Sequence, residues 1–375
     1  MSLDARMLCP LARAAHLDAP RLRESVATLG SLEALFVESP SALRALGLPA
    51  SVIEALRAPD VDALEADLTA IERHGLVLLP ATDPAYPPRL AALAGAPAVL
   101  WVRGCVETLS LPQLALVGSR HPTAGGRRTA REFAYHFASA GLAITSGLAL
   151  GIDAAGHDGA LLAGGRTVAV LGTGLDVTYP LENGALAERI VASGIGTLVS
   201  EFPPRSEPRR AHFPQRNRLI SGLSLGVLVV EAARQSGSLS TARWAGEQGR
   251  EVFAVPGSIH SPLSKGCHDL IRQGATLVEK AEDVVSEFRH VLTQQSLARL
   301  SSLARAPCEG AGALDNPAEI LLDAVGFEPT SVDALLASTG LSGESVASML
   351  LILELEGRIE PLPGGRYIRA RSADL

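Results

Sequence analysis

Residues 114–172 read LALVGSRHPTAGGRRTAREFAYHFASAGLAITSGLALGIDAAGHDGALLAGGRTVAVLG. Three apolar runs stand out, LALVG at 114–118, LAITSG at 142–147 and TVAVLG at 167–172, separated by segments of helical length. A strand covered on both faces needs no polar alternation. Continuous apolar runs that end in glycine turns and are spaced by helices therefore predict parallel strands joined by crossover helices. The pattern continues with GTLVSE at 196–201, LGVLVVEA at 225–232, EVFAVPG at 251–257 and TLVEK at 276–280. The expected core is α/β, a doubly wound and mostly parallel sheet.

The turns after these strands are rich in small residues: Gly118-Ser119-Arg120, Ser146-Gly147, Gly172-Thr173-Gly174, Glu201-Phe202-Pro203, Ser236-Gly237-Ser238 and Pro256-Gly257-Ser258. In an open α/β sheet they all emerge at the carboxyl edge, where ligands bind. Small residues there leave the N–H groups of the next helix open to anions, so the row reads as a set of phosphate seats. Glycine and serine are also ordinary turn and cap residues, which accounts for any one turn but less well for all six.

One stretch behind that edge is out of keeping with the rest. Residues 205–218 hold five arginines and one acid, Glu207, in a chain whose net charge is −7. Phe213 lies among them. Guanidinium forks suit phosphate oxygens, and an aromatic face suits a stacked base, so the stretch reads as a single-stranded nucleic-acid site. Charge by segment agrees: residues 1–110 carry 9 basic and 13 acidic side chains, 111–290 carry 18 and 16, and 291–375 carry 6 and 11. Only the middle is positive, and a polyanion belongs there.

At 375 residues the chain exceeds the roughly 250–300 at which a single core stops growing, so more than one domain is expected. No run of 18 apolar residues and no signal-peptide core is present, which predicts a soluble, cytoplasmic protein without membrane contact. Cys9, Cys105, Cys267 and Cys308 form no CxxC pair, arguing against a zinc site or a disulfide framework. Residues 1–75 read as a small helical module of helix-hairpin-helix or SAM-like type, with a Leu-Gly-Leu-Pro turn at 46–49 and little positive charge, suited to structure or protein contact. A strand, a proline-rich turn and a second strand follow from residue 76 and open a middle domain at 76–292. Residues 293–314 read as a linker, and 315–375 as a winged helix of three helices and a hairpin about Gly364-Gly365. Its third helix carries Glu344, Glu354 and Glu356 and no base before Arg358, so groove binding is not expected of it.

Catalytic signatures are thin. Gly172 and Gly174 lack the third glycine of a dinucleotide loop, and no P-loop occurs, so no cofactor is expected. Gly222-Leu-Ser224-Leu-Gly226 matches G-x-S-x-G but precedes its strand instead of following it. Asp153, His157 and Asp158 share helical spacing, yet no second ligand cluster accompanies them, so no metal is expected. Glu201 and Asp176 are the acids well placed for catalysis, and either could equally pair with Arg216 or Arg218. The expectation is a non-catalytic protein; the alternative is a nucleotide-processing enzyme of a Rossmann-like hydrolase type with Glu201 as acid/base.

ALVGSRHPTAGG, SGLALGIDAAGHDGALLAGGRTVAVLGTGLDVTYPLEN, FPQRNRLISGLSLGVLVVEAARQSGSLSTARWAGEQGREVFAVPGS and GCHDLIRQGA, in this order and spacing, resemble the DprA/Smf family of DNA-processing proteins of bacterial natural transformation. DPAYPPRL and the Pro97, Leu100 and Gly104 pattern are similar to the family's lead-in, and the likeness spans about residues 83–292. The resemblance implies an extended Rossmann-like core that binds single-stranded DNA and forms a homodimer through that core. It further implies a strand handed to the recombinase RecA, with single-strand binding protein displaced or sharing the strand, and no established catalysis. Carried over by residue, it places DNA on Arg120, the Gly147 turn, Arg210, Phe213 and Asn217. With their neighbours in the same turns and helix, the expected DNA-binding set is Gly118, Ser119, Arg120, Gly147, Arg210, His212, Phe213, Arg216, Asn217, Arg218, Ser236, Gly237 and Ser238.

Overall fold

The computed structural model describes residues 5–14, 16–289, 292, 317–327 and 329–370. Its main sheet has nine strands: β1 (Val77–Pro80), β2 (Val99–Gly104), β3 (Gln113–Val117), β4 (Ala143–Ser146), β5 (Thr167–Leu171), β6 (Thr197–Ser200), β7 (Gly226–Val229), β8 (Glu251–Ala254) and β9 (Thr276–Leu277). Their spatial order is β1-β2-β6-β5-β4-β3-β7-β8-β9. From β6 through to β9 neighbouring strands run parallel, whereas β1, β2 and β6 pair antiparallel. All seven apolar runs read as parallel strands are strands, and β3 to β6 end where their small-residue turns begin.

The chain starts the parallel part of this sheet in the middle. From β3 it steps outward through β4, β5 and β6, then returns across them to lay β7, β8 and β9 on the other side. β3 and β7 are neighbours whose following connections diverge, and that divergence opens a crevice at their carboxyl ends. The returning segment is the helix His212–Leu223. It crosses the sheet with Arg216, Leu219, Ile220 and Leu223 buried, a spacing of three and four that makes one inward stripe.

The helical module at the start does not stand apart. Helices Pro40–Ala45 and Ala50–Arg57 flank the expected turn, with Gly47 at φ 76. The core residues of the module run without a break into those of β1 and β2, among them Leu100 and Trp101. Asp67, fully buried, is held by two bonds from Arg13 at 2.6 and 2.7 Å. The strand, turn and strand expected to open the middle domain therefore form the antiparallel margin of the main sheet.

The stretch read as a linker, 293–314, lies outside the described residues. Beyond it stand helices Pro317–Val325, Val332–Thr339 and Gly343–Leu355. Strands β10 (Thr330–Ser331), β11 (Ile359–Leu362) and β12 (Arg366–Arg369) form a sheet in the order β10-β12-β11, a winged helix as expected. Its first helix packs against the helix Ala124–Ser139 on the main sheet, and one carboxylate bonds across that contact. Asp323 accepts from the Gly125 N–H at 2.7 Å, in the first turn of the helix Ala124–Ser139, and from Arg369 at 3.0 Å. Among the described residues no single helix is long and apolar enough to cross a membrane.

Candidate nucleic-acid interface

The crevice between β3 and β7 is an open trough of about 710 Å³. Gly118, Ser119 and Arg120 line it from the turn after β3; Ser236, Gly237 and Ser238 line it from the turn after β7. Arg210, Phe213, Arg216 and Asn217 close it from the returning helix and the segment before that helix. Residues far apart in sequence thus gather at one rim.

Two arginines there are free to meet a ligand. Arg120 and Arg210 are exposed, and neither has a carboxylate partner among the described residues. Arg120 lies 5.6 Å from the centre of the Phe213 ring. That ring is half-buried over Gly172, where a Cβ would come within 3.1 Å of it, so glycine is what lets the ring seat.

Other members of the expected set play different parts. Arg216 is buried, at 4 % exposure, and donates to the carbonyls of Gly147 and Val170 and to Asn217 Oδ1. Burial pushes its pKa down to about 10 and pushes the buried Asp153 carboxyl up, while the attraction between the two opposes both shifts. Asp153 also accepts the N–H groups of Gly147 and Ala149. Arg216 is thus the floor of the trough, pinning the returning helix to the ends of β4 and β5. Gly147 belongs to the same floor: its N–H is spent on Asp153, and a Cβ would strike Arg216 at 2.7 Å. The expectation that the Gly147 turn offers an open N–H to a phosphate is therefore corrected.

Arg218 turns away from the trough, pairing with Glu201 and donating to Gly95 O at 2.7 Å. Of the two arginines left open for Glu201, Arg218 is the one it pairs with, away from the trough lining; Asp176 accepts the Arg205 N–H at 2.9 Å. His212 likewise stays outside the lining, bonding Gly172 O at 3.1 Å and stacking on Phe202 at 4.1 Å. His212 and Phe202 with Phe213 cover the turns after β5 and β6, so the six turns do not make one continuous row of open seats. Asn217 lines the trough and bonds Ser240 Oγ at 2.7 Å, fixing the start of the helix Ser238–Glu247. In that start the N–H groups of Ser238, Leu239 and Ser240 are already bonded locally. What faces the trough from there is the hydroxyl pair Ser236 and Ser238, 2.7 Å apart, so this side offers hydroxyls where bare amides were expected.

The remaining motifs have structural roles. Ser224 is fully buried and donates to Ile220 O at 2.8 Å, before its strand. His157 is buried against Thr167 Oγ1 at 2.7 Å, and burial drives its pKa down to about 3, holding it neutral. Asp158 pairs with Arg189 at 2.9 Å. One aromatic lining residue escaped the sequence reading: Tyr179, whose ring lies 5.5 Å from that of Phe213. It comes from the loop after β5, and nothing in its local sequence says that the returning helix will set Phe213 beside it.

Comparison with known proteins accords with this geometry. The family model described as DNA recombination-mediator protein A matches residues 77–289, and the DprA winged helix domain matches 305–365. Protein Smf of Escherichia coli is 45% identical over 311 residues, covering 83% of this chain and 82% of that protein. DNA processing protein DprA of Streptococcus pneumoniae is 46% identical over 206 residues, 55% of this chain and 72% of that protein. Among solved structures, that of Streptococcus pneumoniae DprA superposes with a TM-score of 0.65 at 35% identity, covering 76% of this chain and 99% of that one. DNA processing protein A of Helicobacter pylori, a single-stranded DNA binder, gives 0.52 at 27% identity, over 58% of this chain and 97% of that one. With a family model spanning more than half of its length and relatives matched over most of theirs, the chain belongs to the DprA/Smf family of DNA-processing proteins.

Proposed function

We propose that this protein binds single-stranded DNA in the trough between β3 and β7 and acts by holding the strand, not by turning it over. The observation that carries the reading is a pair of exposed, unpaired guanidiniums, Arg120 and Arg210, beside a partly open aromatic ring in a trough of about 710 Å³. Unpaired arginines on a rim await phosphates, and a ring face accepts any base, so affinity is expected with little sequence preference. Ser119, Ser236 and Ser238 add hydroxyls, and Asn217 orients one wall. Asp153, the acid that lines the trough, is spent on two N–H groups and on Arg216, which supports binding over acid/base chemistry. The likeness to the Helicobacter pylori protein supports the same ligand.

Family membership supports the wider role: protecting incoming DNA in the cytoplasm during natural transformation, self-association through the middle domain, and delivery of the strand to RecA, with single-strand binding protein sharing or leaving it. On this reading residues 1–75, 76–292 and 315–375 are the working units, and the middle one holds the DNA. Fluorescence anisotropy with equal-length single- and double-stranded oligonucleotides at two salt concentrations tests the core claim. Tighter binding of the single strand, weakening steeply with salt, is expected. Equal binding of both forms, or none at low salt, overturns it.

A further inference from the structure

Tyr179 lies at the same trough as Phe213, and its surroundings differ in two ways from those of a tyrosine that serves packing. The residue is 38% exposed, and its hydroxyl has no partner among the described residues, whereas Tyr86 is buried and spends its hydroxyl on Pro97 O at 2.6 Å. The loop that carries it is nevertheless fixed on both sides. Thr173 Oγ1 donates to Val177 O at 3.1 Å, the Gly174 N–H to Ser206 O at 3.0 Å, and the buried Asn183 to Leu148 O at 2.9 Å. An exposed ring on a preformed loop loses little freedom on binding, which is what a recognition platform needs.

The two rings are not equally open. Arg120 and Arg216 lie 5.6 and 6.0 Å from the centre of Phe213, while among the described residues no guanidinium lies over Tyr179. The ring centres are 5.5 Å apart with planes 37° apart. A base slipped between two rings needs about 7 Å, two layers of roughly 3.4 Å, so the pair cannot sandwich one. Side by side and tilted, they can each carry one base of a strand that turns slightly from the first to the second.

We propose that Tyr179 is a second base-stacking residue, and that the bound strand passes from Phe213 over Tyr179 toward the exposed Leu181. The inference rests on the single-strand reading above. It extends the binding path along the outside of the loop after β5, and it makes the smallest stacked unit two consecutive bases.

The test uses the full-length protein with an oligothymidylate and with a strand of the same length whose sugars carry no bases. Tyr179→Ala is expected to weaken oligothymidylate binding about five- to fifty-fold, with Tyr179→Phe near wild type. On the abasic strand, wild type and Tyr179→Ala should bind alike, because only phosphates remain to be held. The salt dependence of binding should be unchanged in Tyr179→Ala and reduced by Arg210→Ala. Equal oligothymidylate affinity of wild type and Tyr179→Ala overturns the inference while leaving the single-strand reading in place. Weaker abasic binding by Tyr179→Ala overturns it too, since the residue would then be supporting the loop. Failure of wild type to bind oligothymidylate at all overturns the reading beneath it.

Discussion

The trough and the winged helix are both architectures that hold nucleic acid in other proteins, and here they differ in what their arginines do. Arg120 and Arg210 on the trough have no acidic partner among the described residues. In the winged helix two of the three described arginines are neutralised, Arg358 pairing with Glu319 at 3.0 Å and approaching Glu356 at 3.6 Å and Arg369 pairing with Asp323 at 3.0 Å, while Arg366 on the hairpin is exposed with no acidic partner among the described residues. Its third helix, the one that would enter a groove, shows solvent Glu344, Leu351, Ile352, Glu354 and Leu355. A shared architecture therefore says little about a ligand; the state of the charged side chains says more. A guanidinium already neutralised by a neighbour has to give up that neighbour before it can hold a phosphate.

The comparison can be broken at four points. The largest effect is expected from Arg216→Ala, which strands Asp153 in the interior and should cost about 3–5 kcal/mol of stability in urea unfolding; an unchanged midpoint would return Arg216 to the class of ligand-facing arginines. Next, Arg120→Ala combined with Arg210→Ala should leave the unfolding midpoint near wild type but reduce single-strand affinity by about 3 kcal/mol or more, over a hundredfold. Full affinity in that double variant sinks the trough as the site. Phe213→Ala should cost about 1–3 kcal/mol of binding in anisotropy titrations, with the fold retained. If affinity stays level there, the ring belongs to the core. The smallest effect belongs to the winged helix: Arg358→Ala should shift single-strand affinity by less than about twofold, within the range of an exposed ion pair. A loss rivalling that of Arg210→Ala would erase the distinction between the two regions.

Much of the fold was legible because parallel strands covered on both faces announce themselves as apolar runs, and the turns that end them mark the edge where a ligand sits. The site was legible in outline only. Five arginines between 205 and 218 look alike in sequence, and their separation into free, buried and paired depends on acids brought from elsewhere: Asp153 from the helix after β4, Glu201 from the end of β6. One signal was available. Arg216 shares the three-and-four spacing of Leu219, Ile220 and Leu223, which places it on the inward stripe of its helix. Tyr179 gave no such signal, since its neighbour Phe213 arrives only through the return of the chain across the sheet. The extra strand β10, two residues long, is too short for any alternation to reveal.

The unbroken packing of the first helices onto β1 and β2 bears on how this protein can be dissected. A fragment begun at residue 76, where composition changes, would keep the arginines and the trough yet bare an oily flank beside Leu100 and Trp101. Such a piece should clump or melt early even though its ligand-holding half is intact. Shortening from the front is thus a poor way to ask what the opening helices do; single surface substitutions on them leave the supporting partition standing.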